Sequence, residues 1–152
     1  MNFMRRLRVI GYSVLYSLPV LKLLDRYSPP RNLGALGERL AERKLKKNGY
    51  VILAKNHRTR FGELDLVAVD ERTIVFVEVK TRSTLDAGLP TEAVDDEKQE
   101  HISKAAMEYL RSHHLRPIKC RFDVFAIDFA DNPQKPNVVH YKNAFEFAFD
   151  AE

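Results

Sequence analysis

Gly62-Glu-Leu-Asp65-Leu-Val-Ala-Val-Asp70-Glu-Arg-Thr-Ile74-Val-Phe-Val-Glu78-Val-Lys80 reads as two alternating, β-branched strands, about 63–69 and 74–80, joined by a polar turn at 70–73. A two- or four-residue loop centred on Glu71-Arg72 pairs residues whose numbers sum to 143, so Asp65 is expected opposite Glu78 and Glu63 opposite Lys80. Successive strand side chains alternate faces, which puts these four on one side. The other side is Leu64, Leu66, Ala68, Val75, Val77 and Val79, an apolar surface that requires helical cover. Val67, Val69, Ile74 and Phe76 share the acidic side. The carboxylates therefore stand where an otherwise buried face opens.

Like charges directly opposite each other across a ladder destabilise it by roughly 0.2–1 kcal/mol. Lys80, a bound cation or a raised carboxylate pKa would offset that cost. Two carboxylates, a nearby carbonyl and water form a hard-oxygen environment suited to Mg²⁺ or Mn²⁺, with Asp65 and Glu78 as the ligands and the Val79 carbonyl beside them. No phosphate-loop or GxGxxG pattern occurs anywhere in the chain, so no small-molecule cofactor is expected.

Asp65, then Glu78-Val79-Lys80 on the following strand, with Glu38 on a preceding helix, resembles the PD-(D/E)XK nuclease motif as arranged in archaeal Holliday-junction resolvases. Leu64 stands where that motif has proline. Gly34-Ala-Leu-Gly37-Glu38, Gly62-Glu-Leu-Asp65-Leu, Phe76-Val-Glu-Val-Lys-Thr-Arg82, Arg121-Phe-Asp123 and Asn143-Ala-Phe145 further resemble the bacterial YraN-type family of uncharacterised proteins, over about residues 33–147. The resemblance implies a restriction-endonuclease-like α/β domain and a metal-dependent endonuclease acting on DNA, branched DNA included. It makes Lys80, Glu78, Asp65 and Glu38 the catalytic set. Two other readings stay open: a nuclease fold that binds nucleic acid without cutting it, and a membrane-peripheral interaction protein using residues 1–31.

The charge distribution suits a polyanionic partner. Residues 1–60 hold fourteen Lys/Arg against three acids, a net +11, while residues 61–152 hold eleven against eighteen, a net −7. A basic half beside an acidic pocket lets one side bind phosphates while the other holds an ion. Arg58, Arg60, Arg82 and Lys98 are the expected nucleic-acid contacts. A chain of 152 residues that is 45% hydrophobic and 30% charged can bury one core, and a homodimer is compatible with it. Its one cysteine, Cys120, excludes an internal disulfide and fits a reducing, cytoplasmic compartment.

Residues 1–31 are expected to form an extension and linker, and residues 32–152 the nuclease-like domain. Arg5, Arg6 and Arg8 precede an apolar run at 9–24 that Pro19 and Lys22 interrupt, too short to span a bilayer. No small-x-small cleavage site follows it, and peripheral membrane contact of residues 9–24 stays open.

A helix is indicated over about 32–48, with Asn32 as N-cap, Gly49 just past its end, and Glu38 on the flank of its apolar stripe. Residues 50–54 read as a short strand, followed by a basic loop over 55–60. A second helix spans about 92–113, and Lys98 and His101 fall near one end of its core stripe. His113, His114 and Cys120 match no zinc spacing. Residues 121–129 read as a strand parallel to the hairpin, because a helical crossover precedes them. Asp123 either supports the carboxylates or pairs with Arg121. Residues 138–141 make an edge strand and 143–149 close the domain. The expected order is α-β-β-β-α-β-β around a single mixed β-sheet flanked by helices.

Overall fold

Alternation and the polar turn at 70–73 produce the hairpin, and the rest of the chain wraps it. In the computed structural model, which describes residues 33–83, 94–115 and 119–148, the order is α1 (Leu33–Lys47), β1 (Val51–Thr59), β2 (Gly62–Asp70), β3 (Thr73–Arg82), α2 (Asp96–Ser112), β4 (Cys120–Asp128) and β5 (Asn137–Phe145). The strands lie side by side in chain order in one five-stranded sheet. All pairs are antiparallel except β3 with β4, which are parallel from Ile74–Cys120 to Arg82–Asp128. This is the mixed, helix-flanked α/β sheet of a restriction-endonuclease-like core. The expected N-cap at Asn32, the apolar run at 9–24 and the expected loop through Pro90 lie outside the described residues.

Two cores sandwich the sheet. Leu36, Leu40, Ala41 and Leu45 of α1 pack on Leu66, Ala68, Val75, Val77, Phe125 and Ile127. Ile102, Ala105, Ala106, Tyr109 and Leu110 of α2 pack on Val67, Ile74, Phe76, Phe122 and Val124 on the opposite face. Each fully buried Leu, Val, Ile or Phe among them contributes roughly 1.5–3 kcal/mol. The helices form because these residues recur every three or four positions. α1 ends at Lys47, and Gly49 just past it turns the chain with a φ of +86° that glycine adopts without strain. Asp95 caps α2, its Oδ1 accepting from Lys98 N–H at 2.8 Å.

Three expectations need correction. The basic stretch 55–60 is not a loop: β1 continues through it to Thr59, and Lys55–Leu66, His57–Leu64 and Arg58–Glu63 are cross-strand pairs. β5 runs to Phe145 instead of ending near Tyr141, past a register shift at Asp123 where Asn143 has a φ of +50°. Leu64 does not join Leu66 under α1 but the cluster under α2. Among the described residues no helix is long and apolar enough to cross a membrane.

Candidate functional site

The hairpin keeps the expected register from Asp70–Thr73 to Leu66–Val77. Past that point the geometry differs from a regular ladder. Asp65 and Glu78 do not form the next pair; instead Asp65 Oδ2 accepts the Val79 backbone N–H at 2.7 Å. On the other edge of β2, the pairs Lys55–Leu66 and His57–Leu64 bracket Asn56, which stands across from Asp65 with a φ of +47°. Leu64 and Leu66 fall in opposite cores, so β2 turns over at Asp65. Irregularities of this kind re-aim side chains at the rim of a sheet. They also undo the expected facing of Glu63 and Lys80. Glu63 Oε2 takes Arg58 Nε at 3.0 Å, while Lys80 Nζ lies 3.0 Å from Glu78 Oε1.

Glu78 follows Ile74 and Phe76 on the face covered by α2 and is only 6% exposed. Such a carboxylate needs compensation. It has two cations, Lys80 and, at 3.2 Å on the same oxygen, Lys98 from the first turn of α2. Burial, first of all, and then the negative charges of Glu78 and Glu38 push the Asp65 carboxyl up from 3.8 to about 7, against the opposing Val79 N–H and Lys98. Glu38 reaches this neighbourhood from α1, where its Oε2 accepts from Asn56 Nδ2 at 2.8 Å. The helix sits close because Gly37 has no side chain. A Cβ there would collide with Thr81 Cγ2 and lie 3.5 Å from Val79 and Ile127.

The structure thus gathers Asp65, Glu78, Lys80 and Lys98, with Glu38 close by, at the open end of the hairpin. Arg58 and Arg60 lie farther out along β1 and its turn, exposed and engaged by Glu63 at 3.0 Å and by Glu108 of α2 at 3.4 Å. Arg82 ends β3, its Nε buried without a hydrogen bond. Asp123 is placed elsewhere. Fully buried, it accepts from Arg121 Nε at 3.0 Å and from Asn143 N–H at 2.9 Å, and lies 2.8 Å from His140 Nε2. Burial alone would raise its pKa, but these hydrogen bonds hold it below the usual carboxylate value. Arg121 also donates to Asp70 at 2.8 Å and to Tyr50 Oη at 3.0 Å, so Asp123 fastens β5 and the hairpin turn together. Asn56 was missed by the sequence reading, although Asn is among the few residues enriched at positive φ.

Among the described residues no three His, Cys, Asp or Glu side chains converge into a ready-made metal cage. Asp65, Glu78 and the Val79 carbonyl are nonetheless hard-oxygen donors of the kind that hold Mg²⁺ or Mn²⁺ through one or two carboxylates and several waters. Burial first, and then the charges of Glu78 and Glu38, disfavour the Asp65 carboxylate, and a cation would offset that cost. The donor set fits such an ion.

A family model described as "Uncharacterised protein family UPF0102" matches residues 37–127, a stretch that contains all five of these side chains. A UPF0102 protein of Caldanaerobacter subterraneus subsp. tengcongensis is 43% identical over 118 residues, covering 76% of this chain and 95% of its own. One from Geobacter metallireducens is 46% identical over 119 residues, covering 78% and 96%. One from Geobacter sulfurreducens is 46% identical over 117 residues, covering 77% and 91%.

Proposed function

The chain belongs to the uncharacterised protein family UPF0102, and from that premise we propose that it is a metal-dependent phosphodiesterase, an endonuclease acting on DNA and on branched DNA in particular. One observation carries the reading. A buried glutamate with two lysines on one oxygen stands beside an aspartate whose carboxyl is pushed up to about 7, at the open end of a hairpin in a restriction-endonuclease-like sheet. Strongly perturbed groups in such a cluster point to chemistry more than to stability. DNA, and its branched forms, enter through the likeness of Asp65, Glu78-Val79-Lys80 and Glu38 to the Holliday-junction-resolvase arrangement.

Asp65 and Glu78 would hold Mg²⁺ or Mn²⁺, which when bound would supply positive charge to a phosphoryl oxygen and acidify a water. The chain's own residues do the rest. Glu78 anchors Lys80, whose ammonium orients the attacking water or stabilises charge developing on the phosphate. Lys98, on the same carboxylate, contacts the phosphate from the α2 side. Glu38 holds water at the Asp65 end. Arg58, Arg60 and Arg82 carry the flanking backbone phosphates.

The test is cleavage of four-way junctions, flaps, single strands and RNA hairpins with each metal, by wild type and Lys80→Ala. Lys80→Ala is expected to stop cutting while binding stays nearly intact, because a group acting mainly in the transition state lowers turnover more than ground-state affinity. Binding without any cutting by wild type would make this a non-catalytic nucleic-acid-binding module. Cutting that survives Lys80→Ala would place the active site elsewhere.

A further inference from the structure

We propose that Asn56 is a positioning residue, holding the Glu38 carboxylate in place beside Asp65 so that the divalent ion and its water are bound there. The inference rests on the metal-dependent reading above and adds a residue to it.

Strand alternation supplies the first argument. Lys55 and Asn56 are consecutive in β1, so in a regular strand their side chains would leave opposite faces. Both instead reach α1: Lys55 Nζ lies 3.2 Å from Glu42 Oε2, and Asn56 Nδ2 lies 2.8 Å from Glu38 Oε2. Glu38 and Glu42 are one helical turn apart and share a face. Ala54 and His57, three apart and so on opposite faces of a regular strand, both pack on the α2 side, so the backbone turns over between them. The φ of +47° at Asn56 is that turn.

The second argument is where the distortion sits. Asn56 stands across from Asp65, the residue at which β2 also changes face and the β2–β3 ladder stops. Positive φ within a strand, away from any turn, is uncommon even for Asn, and here it coincides with the break in β2. The hydrogen bond made by Asn56 links chain positions eighteen apart and goes to a site carboxylate, not to a turn or a cap. Asn56 thus ties the Glu38 carboxylate by its amide to the chain position that stands across from Asp65, so a shift of Glu38 alters the surroundings in which a cation would bind. Gly37 fixes the approach of α1 to Thr81 and Val79, leaving the Glu38 side chain as the part that must be held.

The experiment measures Mn²⁺ affinity on the full chain by the loss of the free-ion electron paramagnetic resonance signal. It uses wild type, Asn56→Gly, Glu38→Ala and the double variant. Glycine takes positive φ freely, so Asn56→Gly keeps the course of β1 and removes only the amide. We expect an unchanged melting temperature and Mn²⁺ binding weakened about tenfold, the lower end for groups that orient a metal's surroundings. Glu38→Ala should weaken binding similarly, and the double variant no further. Wild-type affinity in Asn56→Gly, or losses that multiply in the double variant, would overturn the inference while leaving the metal site standing. No Mn²⁺ binding by wild type would overturn the metal reading and this inference together. A second measurement avoids changing Asn56: its side-chain amide resonances should move on Mg²⁺ addition to wild type and stay fixed in Glu38→Ala. Equal movement in both proteins would also overturn it.

Discussion

The fold alters the chemistry of Asp65 strongly. Its carboxyl titrates near 7 in the folded chain against 3.8 ordinarily, so between those values the folded state binds a proton that the unfolded state has released. Stability of the metal-free protein should therefore fall as pH rises through that window, with a slope approaching about 1.4 kcal/mol per pH unit. Urea denaturation with a chelator present at pH 5 and pH 8 checks it: the loss should be clear in wild type and largely absent in Asp65→Asn. Binding of Mg²⁺ must expel the same proton, so its affinity should rise by up to about tenfold per pH unit below 7 and level off above. Calorimetry in buffers of different ionisation enthalpy would detect the released proton, and a pH-independent affinity would contradict the assignment. The pairing arithmetic made Asp65 and Glu78 legible as neighbours. The Asp65–Val79 hydrogen bond that ends the ladder was not legible, because a side chain replacing a backbone partner leaves no mark on alternation.

At the scale of elements, α1 and β5 are each fixed by a single position. Gly37→Val should push α1 off β3, since the new side chain would meet Thr81, Val79 and Ile127. Overpacking of this kind costs typically 1–3 kcal/mol. It should also weaken Mn²⁺ binding through Glu38, whereas Leu40→Val, a plain core truncation, should lower only the melting temperature. Asp123→Ala would leave His140 without its carboxylate, leave Arg121 only Asp70 and Tyr50, and release the Asn143 N–H. Removing one partner from such a network costs about 3–5 kcal/mol; chemical denaturation would measure it, and hydrogen exchange should show β5 opening first. The motif segments were readable because they are contiguous. The choice between Asp123 as a site residue and as a clasp was not, because His140 and Asn143 lie on another strand. The reach of β1 was hidden for a similar reason. Lys55 and Arg58 lower strand propensity, and only pairing with β2 extends the strand through them.

For the whole molecule, the basic half and the acidic site predict salt-sensitive nucleic-acid binding. Each duplex phosphate neutralised adds about −0.9 to the slope of log K against log salt. Changing Arg58, Arg60 and Arg82 together to Ala should weaken binding and flatten that slope; titrations at several salt concentrations would read it, and an unchanged slope would assign the contacts to other residues. The single sheet with a helix on each face was legible in outline, since local periodicity names each element and a helical crossover dictates a parallel neighbour. The parallel pairing carries a further consequence for the order of assembly. Ile74 meets Cys120 and Arg82 meets Asp128, so β3 and its partner are 46 residues apart in the chain. During synthesis α1 and the three-stranded meander emerge first, complete with Glu38, Asn56, Asp65, Glu78 and Lys80. The outer edge of β3, a run of buried valines and phenylalanine, must then wait unpaired while α2 is made. An unpaired apolar edge is a template for wrong partners. Of the strands that pair on both edges, the one that holds Glu78 and Lys80 is thus the one that waits longest for its second partner.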